Sequence, residues 1–113
     1  MKEEFKMIND NADIMTFYEK TNCLHDGEIA FADLDVDCLR IGVDITSIKG
    51  CPRAVIIFRG VKEWQISNQG YIFASNVAFE DGGIIWADAC RFDREVLNNS
   101  HYVRATSMEW VIQ

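Results

Sequence analysis

The hydrophobic pattern of this chain changes its period once, and that change constrains the fold more than any other feature. One apolar stripe has helical spacing and consists of Ile14, Phe17, Tyr18 and Thr21. Asp10 or Asn11 can cap the first helical turn by accepting a hydrogen bond from its free amides, so we expect a helix over residues 10–22. After the helix the period falls to two, most clearly over residues 38–45, which is typical of half-buried strands.

Two short polar segments between alternating runs predict tight hairpin turns. The first is Asp35-Val36-Asp37, and the second is Asp81-Gly82. Asp-Gly favours a type I′ turn, in which both central residues have positive φ. That turn sets a register with these opposite pairs: Phe79 with Ile84, Val77 with Trp86, Ser75 with Asp88, and Phe73 with Cys90. The other face of this hairpin carries mostly alanine, so we expect the helix or a second chain to pack closely on it.

Together the periods and turns predict an α+β fold that is mainly antiparallel β. We expect a bent sheet or partly open barrel of six or seven strands, with one N-terminal helix packed on it. The 113 residues are expected to form a single domain, with residues 1–9 frayed, 10–22 helical and 27–112 in antiparallel strands. The last strand, residues 101–112, is long, and its two faces are not cleanly sorted.

The charge of the chain excludes some classes of partner. It has 18 acidic and 11 basic residues, for a net charge of −7, and its arginines are scattered. Binding to nucleic acid or to an anionic membrane requires clustered lysine and arginine, so we expect neither. The first 50 residues hold 11 of the acidic residues and five of the basic ones. This asymmetry favours attraction of a basic protein partner.

Cysteine usage and hydropathy indicate a compartment. The four cysteines form no CxxC pair, and the longest apolar run, residues 54–58, is too short for a membrane span. The N-terminal residues lack the apolar stretch of a signal peptide. We therefore expect a cytoplasmic protein with reduced thiols.

The sequence contains no catalytic motif: it has no nucleophile elbow, no glycine-rich phosphate loop and no HExxH. Cys23-Leu24-His25-Asp26 brings together a thiol, an imidazole and a carboxylate. A structural zinc site, however, requires four ligands in two paired spacings. We therefore expect no metal, no cofactor and no catalytic residue, and we interpret His25 or Asp26 as capping the turn into the first strand.

One carboxylate of the predicted inward face, that of Asp88, needs a charged or hydrogen-bonding partner. The structural interpretation is a pair with Ser75 or Arg104 that fixes the strand register. The functional interpretation is a small, mostly apolar ligand pocket. The candidate pocket residues are His25, Asp26, Trp86, Asp88, Tyr102 and Arg104.

Two tryptophans are candidates for binding a partner. Trp64 and Trp110 lie on short or terminal predicted strands, and exposed tryptophan beside arginine is typical of interface anchors. Core packing is the alternative explanation for each. A homodimer formed through an edge strand or through the small-residue face is a further alternative.

Four stretches carry a resemblance to a group of proteins: Phe17-Tyr18, Leu24-His25-Asp26, Phe58-Arg59-Gly60-Val61 and Tyr102-Val103-Arg104. In these stretches the chain resembles small uncharacterised bacterial proteins that combine a short N-terminal helix, a His-Asp pair and antiparallel strands. Some such families are immunity proteins that neutralise toxins. The resemblance implies no catalytic residue and favours a binding role.

The sequence therefore predicts a cytoplasmic bacterial domain that acts as a non-catalytic protein-interaction module, immunity-like in role. The alternative is a small-molecule-binding protein or minor enzyme with a pocket near His25, Asp88 and Arg104.

Overall fold

The computed structural model describes residues 4–67 and 70–113, which form two antiparallel sheets and one long helix. The helical segments are α1 (Asn11–Thr21), a 3₁₀ turn (Asn22–Leu24) and α2 (Arg94–Leu97). The strands are β1 (Lys6–Met7), β2 (Gly27–Asp35), β3 (Cys38–Asp44), β4 (Arg53–Arg59), β5 (Glu63–Gln65), β6 (Tyr71–Ile72), β7 (Asn76–Glu80), β8 (Gly83–Ala87), β9 (Tyr102–Ala105) and β10 (Ser107–Ile112). The predicted α+β class with mainly antiparallel strands is confirmed.

The strands divide between two sheets rather than lying in one curved sheet. The larger sheet has the order β1-β10-β4-β3-β2-β6, and the smaller has the order β5-β9-β8-β7. The two sheets do not close into a barrel, and the strands in the described residues outnumber the six or seven predicted. Two of the additional strands, β1 and β6, are only two residues long, which is below what an alternating pattern can reveal.

The predicted last strand is divided at Thr106, where the chain passes from the smaller sheet to the larger one. Val103 and Ala105 face the core before this point, and Met108 and Trp110 face it afterwards, so the inward positions shift by one residue. The Thr106 amide donates to the carbonyls of Arg59 and Gly60, at 2.9 and 3.1 Å.

Gly60 makes this crossing possible. Its φ is +67°, and a Cβ at this position would lie 2.3 Å from Thr106 Oγ1. A larger residue at position 60 would therefore be strained in its backbone and would collide with the crossing strand.

Helix α1 lies where the helical spacing predicts it. The Asp10 carboxylate accepts from the Asp13 amide at 2.9 Å, and Asn22 ends the helix with a left-handed backbone. Phe17 is fully buried, and its ring meets that of Trp110 edge-on at 5.6 Å. Burial of a side chain of this size contributes about 2–3 kcal/mol, which fixes the helix against the larger sheet.

Both predicted hairpin turns are present. Asp35 pairs with Cys38 across the first turn, while Phe79 pairs with Ile84 and Val77 with Trp86 across the second. The type I′ prediction is wrong, because Gly82 has positive φ and Asp81 does not. The extended part of the predicted register is also wrong, since the β7–β8 ladder ends at Asn76 and Ala87 and includes neither Ser75 nor Phe73.

The small-residue face of the second hairpin is covered by α2 and the residues beside it. Ile85 and Ala87 pack with Leu97 of α2, with Tyr102 and with Phe92 in a second, smaller core. Ile85 and Ala87 at the centre of this face are covered by α2 and not by α1, so the expectation for α1 is wrong there, while packing by a second chain stays a prediction. The chain itself covers this central part, because α2 folds back across β8 and β9.

The N-terminal segment is more ordered than predicted. Residues 1–3 lie outside the described residues, but Lys6 and Met7 pair with β10 and Ile8 is buried. The prediction that residues 1–9 are frayed is therefore wrong for this described part. Among the described residues, no helix is long and apolar enough to cross a membrane.

Candidate functional site

The most exposed large aromatic side chain of the described residues is that of Phe73. It lies where the chain leaves β6 in the larger sheet and enters β7 in the smaller one, and it is 76% exposed. Tyr71, two residues before it on the short edge strand β6, is 67% exposed. Two large aromatic rings in one exposed segment are uncommon, because folding normally removes such area from water.

The Phe73 backbone is held from both sides by side chains. Its amide donates to both oxygens of the Asp88 carboxylate, each at 3.0 Å, and the next amide, of Ala74, donates to Oδ1 at 3.0 Å. On the other side, His25 Nδ1 lies 2.7 Å from the Phe73 carbonyl oxygen. A carbonyl oxygen only accepts, so Nδ1 carries the proton in this contact. The His25 ring also meets the Phe73 ring edge-on at 5.8 Å.

His25 is positioned by a strained turn after α1. Cys23, Leu24 and Asp26 all have φ between 54° and 57°, a left-handed conformation that side-chain-bearing residues rarely adopt. Each such residue costs about 1–3 kcal/mol and persists only where the surroundings impose it. Here the Leu24 side chain is fully buried, and the Cys23 carbonyl accepts from the Ser75 amide at 2.7 Å. The turn therefore holds the segment after β6 through both Phe73 and Ser75.

Asp88 is fixed at the end of β8, where its amide donates to the His101 carbonyl at 2.9 Å. It lies between two cavities. The polar cavity has a volume of about 420 Å³, and besides Asp88 its lining consists of Gln65, Ser67, Tyr71, Asn99, Ser100 and His101. The apolar cavity has a volume of about 530 Å³, and besides Asp88 its lining consists of Phe73, Ala74, Ser75, Asn76, Ala89 and Cys90.

Carboxylates surround this exposed segment. Asp26 Oδ2 lies 3.5 Å from His25 Nε2, and Glu28 is the cross-strand neighbour of Tyr71. Asp26, Glu28 and Asp88 are thus three acidic groups around the exposed segment. We call the area formed by these carboxylates together with His25, Tyr71 and Phe73 the Phe73 surface. An aromatic surface with carboxylates at its edge suits a partner that presents both apolar and positively charged groups.

The predicted pocket residues fall into separate places. His25, Asp26 and Asp88 lie around Phe73, as described above. Trp86 is buried in the main core, and its indole N–H donates to Ser75 Oγ at 2.9 Å. Ser75 therefore pairs with Trp86, and the predicted Ser75–Asp88 pair is not formed.

The predicted contact between Asp88 and Arg104 is also wrong. Arg104 pairs instead with Glu63 at 3.0 Å and with Glu80 at 3.1 Å, on the outer face of the smaller sheet. Neither His25 nor Arg104 lines either cavity beside Asp88. Arg104 therefore does not belong to a pocket with Asp88.

Arg104 belongs to a closed group of charges with Glu63, Glu80 and Arg94, which we call the Arg104 cluster. Arg94 lies 2.8 Å from Glu63 and also donates to the Tyr102 hydroxyl at 3.2 Å. Hydrogen bonding to Arg94 lowers the pKa of Glu63, and the same contact raises the pKa of Arg94. The predicted pocket residue Tyr102 is thus part of the support for this cluster.

The two tryptophan candidates differ in exposure. Trp64 lies on β5, at the edge of the smaller sheet, and is 37% exposed. Trp110 is 3% exposed and packs against Phe17, so the core explanation applies to it. Within the described ranges, no group of three or more histidine, cysteine, aspartate or glutamate side chains is placed to hold a metal ion.

Sequence reasoning missed Phe73 and Tyr71 as surface residues. Extending the Asp81-Gly82 register placed Phe73 on the inward face beside Val77. The register ends earlier, at Asn76, because Ser75 bonds to the Cys23 carbonyl and to the Trp86 indole instead of continuing the ladder. No local signal in the sequence marks either contact.

Comparison of the chain with protein-family models, with curated proteins and with solved structures finds no match.

Proposed function

We propose that this chain is a non-catalytic protein-interaction module that binds a basic partner protein through the Phe73 surface. The observation that carries the proposal is that Phe73 is both exposed and fixed. Its side chain is 76% exposed, while its backbone is bonded by Asp88 on one side and by His25 on the other. A side chain that served only packing would be buried, and one in an ordinary loop would lack these contacts.

Fixation of an exposed aromatic residue favours binding for an entropic reason. Ordering a flexible loop and its side chains on association costs about 0.5–1.5 kcal/mol per immobilised side chain. The Asp88 and His25 hydrogen bonds order the Phe73 backbone before any partner arrives. The apolar cavity beside the ring offers a place for an apolar group of the partner, as at the centre of many protein interfaces.

The acidic charge supports a basic partner. Exposed carboxylates continue from the Phe73 surface along β2, from Glu28 through Asp33 to Asp35. The whole chain carries a net charge of −7. Such a field speeds the encounter with a positively charged protein, and salt weakens it.

The hydrogen bonding of His25 and Asp88 supports a binding role over catalysis. His25 contacts a backbone carbonyl and the Asp26 carboxylate, and Asp88 accepts from two backbone amides. Both side chains therefore hold the backbone, and within the described part of the chain neither is bonded to a hydroxyl or thiol that it could activate. The four cysteines are free, which is consistent with a cytoplasmic location. Neutralisation of a toxin inside a bacterial cell is one example of a non-catalytic binding role.

The test is capture of partners from a lysate of the source organism with wild-type protein, with Phe73→Ala and with Phe79→Ala. Phe79 is a matched control, because it is 44% exposed on β7, away from the Phe73 surface. We expect wild type and Phe79→Ala to retain one basic protein that Phe73→Ala loses, and we expect less of it as salt rises. Retention of the same protein by Phe73→Ala would overturn the proposal.

Light scattering of the three purified proteins completes this test. If the protein self-associates and only Phe73→Ala abolishes the association, the occupant of the surface is a second copy of this chain and not a basic partner. We expect all three proteins to scatter as monomers when no partner is present.

A further inference from the structure

We propose that the polar cavity beside Asp88 is a binding site for an arginine side chain of the partner. This inference rests on the proposed function and specifies the chemistry of the same surface. Asp88 borders the polar cavity and also bonds the amide of Phe73. A partner segment that covers Phe73 therefore passes the cavity, and a neighbouring long side chain can enter it.

Several hydrogen-bond acceptors on the described residues that line the cavity are free. Gln65 Nε2 already donates to the carbonyls of Asn98 and Ser100, at 3.0 and 2.9 Å, which leaves its Oε1 to accept. Asn99 Nδ2 donates to the Glu95 carbonyl at 3.2 Å, which leaves the Asn99 Oδ1. The Asp88 carboxylate accepts from two amides but has lone pairs for about four hydrogen bonds.

Some of the side-chain donors that line the cavity are engaged within the protein. Ser100 Oγ donates to the Val96 carbonyl at 2.7 Å. His101 Nδ1 accepts from the Ser67 amide at 3.3 Å, so the neutral ring carries its proton on Nε2. Among the described residues that line the cavity there is no lysine or arginine. A ligand that donates hydrogen bonds to the free acceptors and carries a positive charge would therefore be complementary to this cavity and to Asp88.

Arginine fits this set of groups better than lysine. A guanidinium group presents five N–H donors in one plane and accepts nothing, whereas an ammonium group is a compact point charge. The Tyr71 ring, which borders the cavity, gives a planar cation a surface on which to stack. A neutral sugar could use the same acceptors and the donors of Tyr71 and His101, but it carries no charge to pair with Asp88.

The experiment is an NMR titration of the ¹⁵N-labelled protein with N-acetyl-arginine methylamide, N-acetyl-lysine methylamide and glucose as separate probes. We expect the arginine probe to shift the amide signals of Tyr71, Asp88, Asn99 and His101 at lower concentration than either other probe. Equal shifts with arginine and lysine, stronger binding of glucose, or shifts centred elsewhere on the protein would overturn the inference.

Variants separate stacking from charge. Tyr71→Ala should weaken binding of the arginine probe by about two- to thirtyfold, the range expected for a cation–aromatic contact, and Tyr71→Phe should retain it. Asp88→Asn should also weaken it, with the equally acidic but distant Asp33→Asn as its control. Asp88→Asn can also disturb the Phe73 backbone. Asn99→Ala therefore removes a different hydrogen-bond acceptor from the cavity, and it should weaken binding of the arginine probe as well. The Tyr71 variants leave Asp88 unchanged, so their result does not depend on the backbone contacts of Asp88.

The failure of this inference can be distinguished from failure of the proposed function. If Phe73→Ala loses the partner and the arginine probe does not bind, the Phe73 surface stands and the arginine site falls. If the arginine probe binds at the cavity and Phe73→Ala keeps the partner, the proposed function falls and the cavity is a guanidinium site that serves another ligand.

Discussion

The Phe73 surface and the Arg104 cluster both contain polar side chains from several segments of the chain. The two regions differ in what these side chains bond to. In the Arg104 cluster each charge meets an opposite charge: Arg104 pairs with Glu63 and Glu80, and Arg94 pairs with Glu63. At the Phe73 surface the polar groups of His25 and Asp88 hold backbone atoms, while the aromatic rings remain exposed. A closed charge network stabilises the fold, whereas a rigid, open aromatic surface has unused binding capacity.

This difference corrects the roles that the sequence suggested for Arg104 and Asp88. Arg104 is a candidate from the sequence because it can pair with the Asp88 carboxylate or line a small ligand pocket with it. Its charge is already matched within the chain, so it has little left to offer a ligand. Asp88 was expected to pair with Ser75 or Arg104, and it accepts instead from the backbone amides of Phe73 and Ala74. A polar residue indicates binding only after its partners within the fold have been counted.

The largest expected effect is the loss of partner affinity in Phe73→Ala. Anchor residues at interface centres contribute about 2 kcal/mol or more, so affinity for the captured partner should fall by at least about thirtyfold. The free energy of unfolding should change by no more than about 0.5 kcal/mol, because alanine keeps the amide and carbonyl that Asp88 and His25 bind. Titration calorimetry and chemical denaturation measure the two quantities. A large loss of stability with unchanged affinity would assign Phe73 a structural role.

A smaller effect, on stability and binding together, is expected for Asp88→Ala. This change leaves the amides of Phe73 and Ala74 without their acceptor. Loss of an acceptor from a half-buried site should lower the free energy of unfolding by about 1–2 kcal/mol. Partner affinity should fall as well, since Phe73 is then no longer held. If chemical denaturation finds full stability and calorimetry finds full affinity, the idea that Asp88 orders this segment is wrong.

Arg104→Met should lower stability and leave binding intact, which separates the two regions directly. Methionine keeps most of the apolar stem but removes both ion pairs, and partly exposed pairs contribute about 1 kcal/mol or less. Denaturation should detect that loss, and the partner affinity of the folded variant should equal that of wild type. A drop in affinity comparable to that of Phe73→Ala would place Arg104 in the binding surface after all.

The smallest effect concerns pH. Arg94 holds the pKa of Glu63 below its ordinary value, so the unfolded state binds the Glu63 proton more readily than the folded state does. The stabilisation from this carboxylate is therefore complete above the unfolded pKa and is lost as pH falls below it through the folded pKa. In Glu63→Gln the dependence of stability on pH should be shallower in that acidic range. Identical slopes for wild type and variant, measured by denaturation across the range, would contradict this role for the Arg104 cluster.

The parts of the fold that could be predicted from sequence are those with local causes. The helical spacing of Ile14, Phe17 and Thr21 placed α1, and Asp81-Gly82 placed the β7–β8 turn, because each depends on residues close together in the chain. The division of residues 101–112 between two sheets could not be predicted in the same way. It depends on the close contact of Gly60 with Thr106, and the only trace in the sequence is the poor sorting of the two strand faces.

The candidate site was only partly predictable for the same reason. His25, Asp26 and Asp88 were identified because buried or adjacent polar groups require partners. Phe73 was placed inside the fold, because nothing local shows that Ser75 bonds to Cys23 and Trp86 and so ends the strand. The left-handed turn at Cys23 and Leu24 contains no glycine from which it could be predicted. Tertiary packing of the buried Leu24 imposes this backbone conformation.

The most direct test of the central claim is ¹⁵N relaxation of the Phe73 amide in the free protein. If Asp88 and His25 fix this residue for binding, its order parameter should be about 0.85, equal to that of the β7 and β8 amides. A value below about 0.6 would mean that Phe73 moves as a flexible loop residue. That result would contradict the account, because the exposed ring would then be unordered before it meets a partner.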